Sequence, residues 1–236
     1  IINIFKMGKD TKSQNIQRMF NKIAEKYDLM NYIMSLGNHK KWEQEIVKSI
    51  HFNSNRTNKI LDIACGTGSL TKEIIKYSPN YQVVGLDFSE GMLKIAKKTI
   101  SNLILGDSHY LPFKKKHFDH ITIAYGIRNF ENTTRSLQEI HYVLNNHGTL
   151  NILEIIKPDN NIKSFIFKLG FFILAPLFGL MFSNNFSAYL YLPKSSNSFL
   201  TEKEIKNLLQ KNGFNRISIK KKAFGSVILL NALKSN

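Results

Sequence analysis

The segment Ile60-Leu61-Asp62-Ile63-Ala64-Cys65-Gly66-Thr67-Gly68-Ser69-Leu70 joins an apolar run, two closely spaced glycines and the start of a helical pattern. A strand, a glycine turn and a helix in that order let a ligand approach backbone that a side chain would otherwise cover, as nucleotide-type sites require. Asp87 ends the next apolar run, nineteen residues after Gly68, where a carboxylate can accept hydrogen bonds from both hydroxyls of a ribose. Asp107 ends a third run, and its carboxylate or the neighbouring Ser108 is placed to meet an adenine amino group.

Two cofactor classes use such a turn. A dinucleotide fingerprint reads Gly-x-Gly-x-x-Gly, with a pyrophosphate on the helix N-terminus. Here the third position is Thr71, and Asp62 sits just before the turn, where an anion would repel a pyrophosphate and attract a cationic methionine moiety. Both departures point to a sulfonium cofactor, S-adenosylmethionine. The plainer alternative, a glycine turn that only connects strand to helix, leaves Asp87 and Asp107 in register without a reason.

These residues need elements to hold them. From residue 59 onward short apolar runs alternate with helical stretches, the arrangement of βαβ units and a parallel sheet. The runs are Ile60 to Ala64, Val83 to Leu86, Leu103 to Leu105, Ile121 to Ala124 and Leu150 to Leu153, with two closing strands over Arg216 to Lys221 and Val227 to Ala232. Helices are expected near Leu70 to Tyr77, Glu90 to Lys98, Thr133 to Leu144 and Thr201 to Asn212, the last opened by a capping-box spacing from Thr201 to Glu204. Residues 1–58 form a helical extension, amphipathic through Ile16, Met19, Phe20 and Ile23 and again through Trp42, Ile46 and Ile50, with bends at Tyr27 to Asn31 and Ser35 to Asn38. His39 of this extension is expected to be solvated and Trp42 to lie in a core.

The 236 residues suit one α/β domain with additions. A net charge of +16 prompts a nucleic-acid reading, but only five of the 33 basic residues are Arg, and no aromatic residues interleave the lysines as a single-strand platform would need. The runs Lys114 to Lys116 and Lys220 to Lys222 read as solvated turns or strand edges, and no nucleic-acid partner is expected. With Cys65 as the single cysteine and no secretory signal visible at the start of the sequence, the expected compartment is the cytoplasm. No His, Cys or acid cluster has metal-ligand spacing, so no metal is expected. Residues 165–182 are strongly apolar yet contain Lys168, Gly170, Pro176 and Gly179, which argues for a buried helix pair or a greasy cap rather than a membrane span.

A family resemblance covers nearly the whole chain from about Met19. The block Tyr110-Leu111-Pro112-Phe113 with Phe118-Asp119-His120-Ile121 resembles the segment before strand four of class I methyltransferases. Met19-Phe20-x-x-Ile23-Ala24-x-x-Tyr27-Asp28-x-Met30-Asn31, Ser35-x-Gly37, Gly126-Ile127-Arg128-Asn129-Phe130 and Tyr189-x-Tyr191-Leu192-Pro193 resemble the C-methyltransferases of menaquinone and ubiquinone biosynthesis. That resemblance implies a Rossmann-like α/β fold: a seven-stranded, mostly parallel sheet with helices on both faces and a helical cap. Its domains would be the extension 1–58 and the methyltransferase domain 59–236, with an apolar insertion at about 160–200 over the substrate. It further implies cofactor contacts at Thr71, Asp87, Asp107 and Ser108, beside Asp62, Gly66 and Gly68. One contact that is usually a serine falls on Ala124. A Gly-Gly pair after the fourth helix is His147-Gly148, a change that is tolerable where the first position needs no positive φ.

The implied reaction is methylation of a ring carbon of a polyprenylated quinol, demethylmenaquinol to menaquinol first, with a class I methyltransferase acting on RNA or another small molecule as the runner-up. Such a carbon becomes nucleophilic once the adjacent hydroxyl loses its proton. Arg128 has too high a pKa to shed its own proton and act as an ordinary base, and stabilises the phenolate or orients a water instead; its ordinary alternative is an ion pair with Glu131 or Glu154. Asn129 holds a ring oxygen or the methionine carboxylate. Tyr189 and Tyr191 share one face of an extended segment and would flank a flat ring. A membrane-resident isoprenoid substrate would also bring a peripheral contact with the inner face of the membrane, and a homodimer is compatible with it.

Overall fold

The computed structural model describes residues 12–50, 58–157, 191, 194–196 and 198–235. Two helices come first, α1 (Lys12–Met34) and α2 (Asn38–Lys48). Then β1 (Lys59–Ile63), α3 (Ser69–Tyr77), β2 (Gln82–Asp87), α4 (Glu90–Ala96), β3 (Leu103–Leu105) and β4 (Phe118–Ala124) alternate. A short 3₁₀ turn (Ile127–Asn129) leads to α5 (Thr133–Val143) and β5 (Leu144–Ile155). The described chain closes with α6 (Glu202–Lys211), β6 (Phe214–Lys222) and β7 (Val227–Lys234).

The seven strands form one sheet in the order β3-β2-β1-β4-β5-β7-β6. The pairs from β3 to β5 are parallel, and β7 runs antiparallel between β5 and β6. Side chains alternate along each strand, so neighbouring residues face opposite ways. Leu61, Ile121, Ile228 and Leu230 pack with Leu137, Ile140, Ile205 and Leu209 of α5 and α6. Ile60, Val83, Val227 and Leu229 pack with Ile46, Val47, Leu70 and Ile74 of α2 and α3. Helices therefore cover both faces, and each fully buried Leu or Ile contributes about 1.5–3 kcal/mol. The Thr201 to Glu204 capping box opens α6 as the spacing predicts. Near the other end of that face, the Lys234 ammonium donates to the carbonyls of His141 (2.6 Å) and Leu144 (2.7 Å) where α5 ends.

Three expectations need correction. No bend interrupts α1 at Tyr27 to Asn31: the helix runs on to Met34, because Met30 is buried and Asp28 is held by the Thr67 hydroxyl at 2.6 Å. Turn-forming side chains there serve tertiary contacts instead. The bend lies at Leu36 and Gly37, both with positive φ. His39 is buried rather than solvated, its Nδ1 lying 2.9 Å from the Ser35 hydroxyl, which also accepts the His39 N–H. His147 has a φ of 60°, so the position does hold a left-handed backbone and a non-glycine residue bears its cost. Its neighbour must be glycine: a Cβ on Gly148 would lie 2.9–3.0 Å from the carbonyls of Asn145 and Asp119.

The lysine runs sit as expected. Lys114 to Lys116 are exposed before β4. Lys220 and Lys222 on the edge strand β6 pair with Glu45, and Lys221 with Glu202. The apolar run 165–182 lies outside the described residues. Among those described, no helix is long and apolar enough to cross a membrane.

Candidate active site

The sheet order reverses between β1 and β4, and a cleft opens at the carboxyl ends of the strands around that point, where open α/β sheets bind ligands. Its space is about 620 Å³, including the part open to solvent. Ala64 follows β1 with φ 55° and Tyr125 follows β4 with φ 56°. Left-handed backbone is rare for a bulky residue and persists where surrounding contacts fix it. Here the Tyr125 N–H donates to the Leu153 carbonyl at 2.7 Å, and its own carbonyl accepts from Arg128 Nη1 at 2.6 Å.

Gly66, Asp87, Asp107, Ser108, Ala124 and Asn129 all border the cleft. Asp87 Oδ2 accepts the Gly66 N–H and Oδ1 the Ser89 N–H, each at 2.8 Å. Two backbone donors fix the carboxylate and leave lone pairs for a ligand's hydroxyls. Burial pushes Asp87 up to about 6, against the pull of those donors. Asp107 Oδ1 takes the backbone N–H of His109 and pairs with its Nδ1. His109 Nε2 accepts the Asn132 N–H at 2.9 Å, so the ring proton sits on Nδ1 and points at Asp107. The Ser108 hydroxyl is spent on Ser136, 2.8 Å away. Asp107, half-exposed at its carboxylate, is thus the better placed of the pair to meet an adenine.

Asp62 and Thr71 are brought together beneath the cleft, not in its wall. The Asp62 carboxylate accepts from the hydroxyls of Thr71 and Thr122, and burial lifts it to about 6. Gly68 likewise faces away: its φ is 83°, and a Cβ there would sit 2.2 Å from Ile100 Cδ1. Its freedom from a side chain serves packing against Ile100. At Gly66, by contrast, an added Cβ would meet nothing closer than Tyr27 at 3.8 Å, leaving room for a ligand.

On the β4 side Arg128 is buried, with Nη1 2.6 Å from Glu154 Oε1 on β5. Burial opposes charge on both. The guanidinium is nevertheless held protonated by Glu154, and Glu154, raised by burial, is drawn back by Arg128 and by the N–H of Ile155. Arg128 Nε also reaches the Ser195 hydroxyl at 3.4 Å. Asn129 Oδ1 accepts the Tyr191 hydroxyl at 2.8 Å, which unites two residues 62 positions apart. Tyr191 has helical rather than extended backbone, and Tyr189 lies outside the described residues.

Sequence reasoning missed several residues of the site. Phe20 and Tyr27 bring α1 over the cleft, while Gln17 and Asn21 dock it on Phe88, Ser89 and Gly91. The helix-period pattern marks the buried face of α1 without saying what it covers. His109 carried the signal of an Asp-x-His spacing, whereas Tyr125 carried none. Trp42 joins the core on the α2–α3 face, so α1 and not α2 lies over the cleft. Among the described residues, no group of three His, Cys, Asp or Glu is arranged to hold a metal ion.

A parallel-sheet switch point with a glycine turn, a ribose-type acid at the end of β2 and carboxylates in place of a phosphate cradle defines a class I S-adenosylmethionine-dependent methyltransferase. The same fold recurs in a solved S-adenosylmethionine-dependent methyltransferase from Thermotoga maritima, at a TM-score of 0.67 and 16% identity over 93% of this chain and 100% of that one. Residues 8–234 match the ubiE/COQ5 methyltransferase family, and the chain belongs to it. The demethylmenaquinone methyltransferase of Thermotoga maritima is 41% identical over 88% of this chain and 91% of its own. That of Lactiplantibacillus plantarum is 34% identical over 90% and 92%.

Proposed function

We propose that this methyltransferase acts on a ring carbon of a polyprenylated quinol, demethylmenaquinol first, and that Asn129 and Tyr191 receive the ring. The observation that carries the reading is the Asn129–Tyr191 hydrogen bond at the cleft wall, in a chain whose demethylmenaquinone-methylating relatives align over nine-tenths of their length. S-adenosylmethionine supplies an electrophilic methyl group. Asp87 would hold its ribose, Asp107 its adenine and the Gly66 backbone its central part, with Asp62 and Thr71 fixing the turn from below. Ala124 offers a wall and no side-chain bond.

Asn129 borders the cleft with an amide that can orient a ring hydroxyl, and Tyr191 steers that amide. Arg128 lies just behind, where its positive charge favours the phenolate that makes the ring carbon nucleophilic. Phe20 and Tyr27 exclude water on the opposite wall. Of the extension 1–58, α1 serves as the cap; the substrate cover expected at 160–200, with Tyr189, lies for the most part outside the described residues. An isoprenoid tail that stays in lipid places the enzyme on the cytoplasmic face of the membrane as a peripheral protein.

Labelled methyl transfer tests the reading, with reduced demethylmenaquinone, a reduced methoxybenzoquinone and total RNA offered side by side. Label in a quinol is the expected result, and label in RNA alone overturns it. Vesicle co-sedimentation checks the membrane contact, which fails if no lipid charge or salt concentration gives binding.

A further inference from the structure

Four carboxylates from four elements close on residues 65–71. Asp87 of β2 takes the Gly66 N–H and Asp62 of β1 takes the Thr71 hydroxyl. Asp28 of α1 takes the Thr67 hydroxyl at 2.6 Å, and Glu43 of α2 takes the Ser69 hydroxyl at 2.7 Å. The first two belong to the strands that make the site. The other two come from helices that precede the sheet, and Glu43 is the more buried of them, at 3% exposure.

Glu43 has no cation beside it among the described residues. The charged neighbours that act on it most are acidic, namely Asp62 of β1, Glu73 of α3 and Asp28 of α1, and burial, helped by their repulsion and opposed by the Ser69 bond, lifts it to about 7. Across from it, Tyr125 borders the cleft with a hydroxyl that is shut off from solvent and has no hydrogen-bond partner among the described residues. Glu43 is the strongest charged influence on that phenol. The Glu43 charge therefore reaches the cleft through an unpaired phenol in a dry wall, where Coulomb interactions are weakly screened.

The transfer step changes the ligand's charge. The S–CH₃ bond breaks with its electron pair left on sulfur, a C–C bond forms to the nucleophilic ring carbon, and the sulfonium becomes a neutral thioether. We propose that Glu43 is a charge-selecting residue of the cofactor site: its carboxylate, held toward the glycine turn by Ser69, strengthens binding of the cationic cofactor and leaves binding of the thioether product nearly unchanged. Resting on the cofactor assignment, this gives the site a bias toward exchanging product for fresh cofactor.

Titration calorimetry with S-adenosylmethionine and S-adenosylhomocysteine tests it on wild type and Glu43→Gln at pH 8. Glutamine keeps an oxygen for Ser69 and removes only the charge. Affinity for S-adenosylmethionine should fall about fifteen- to thirty-fivefold, the size of one charge pair at about 8–10 Å and an effective dielectric constant near 20, while S-adenosylhomocysteine changes less than about twofold. Between pH 8 and 6 the wild type should lose S-adenosylmethionine affinity more steeply than Glu43→Gln. That difference isolates Glu43 from Asp28, Asp62, Glu73 and Asp87, which are present in both proteins. Equal losses for the two ligands mean that Glu43 only tethers α2 to α3, and no loss for either means that its charge is not felt; both results overturn the proposal. Ser69→Ala, which frees the carboxylate, should shift the ratio of the two affinities in the same direction, and an unchanged ratio counts against the proposal even if Glu43→Gln does not fold. A wild type that binds neither ligand would refute the cofactor assignment itself.

Discussion

At the β2–β3 end of the cleft the polar groups are held by backbone: Asp87 by the N–H groups of Gly66 and Ser89, Asp107 by that of His109. At the β4–β5 end they are held by one another, with Arg128 against Glu154 and Asn129 against Tyr191. A backbone donor survives any change of side chain, whereas a buried partner does not. Substitutions at the first end should therefore cost affinity and spare the fold, and those at the second should threaten the fold itself.

Arg128→Met puts the largest strain on that contrast. It leaves Glu154 buried without its cation, and urea unfolding should show a loss of about 3–5 kcal/mol. Pairing it with Glu154→Leu should return most of the stability and none of the methyl transfer. Recovered activity in the double variant would remove Arg128 from the chemistry. At the other end, Asp87→Asn should weaken cofactor binding about 10- to 100-fold by calorimetry, as expected for charge-assisted bonds to a ribose, while unfolding stability moves by about 1 kcal/mol or less.

Acidity sharpens the comparison further. Asp62 and Asp87 stand at about 6 in the folded protein against an ordinary 3.8, so the native state takes up protons between pH 6 and 4 that the unfolded chain does not. Their contribution to stability thus rises as pH falls through that window, while cofactor affinity, with Asp87 in its proposed role at the ribose, should fall through about pH 6. His39 and His141, lowered by burial, oppose the stability trend, so the diagnostic quantity is the difference between wild type and Asp87→Asn. A difference that does not vary with pH contradicts the burial argument for Asp87. Smaller still, His109→Ala should reduce cofactor affinity about three- to tenfold by removing the imidazole bond to Asp107 while the backbone bond stays. Last, His147→Gly relieves a left-handed backbone far from either end and should add about 0.5–1 kcal/mol to stability with activity unchanged.

The parts legible in the sequence are those with local causes. The glycine turn, Asp87 and Asp107 follow from strand ends that apolar runs mark, and the α6 start follows from a four-residue box. Residues whose role depends on a distant partner were not legible in this way. Tyr27 and Asn31 have the composition of a bend, and only the Thr67–Asp28 bond and the burial of Met30 show why the helix continues. His39 reads as a surface histidine until Ser35 is seen beside it. Gly68 reads as a ligand-facing glycine, yet its neighbour is Ile100, 32 residues away in sequence. Glu43 lies among exposed lysines on α2 and gives no local sign that it reaches the glycine turn.

The position of β7 has a consequence for how the chain is made. It pairs with β5 over Thr149 to Ile155 and with β6 over Phe214 to Lys222, and it is buried along most of its length. During synthesis from the amino terminus, every other strand of the sheet leaves the ribosome before it. Until residues 227–234 emerge, β5 presents an open apolar edge of the kind that recruits other chains, and β6 has nothing to pair with. The nascent protein is most exposed to misassociation in the interval before its seventh strand arrives, and a chaperone that shields the β5 edge would act in that interval.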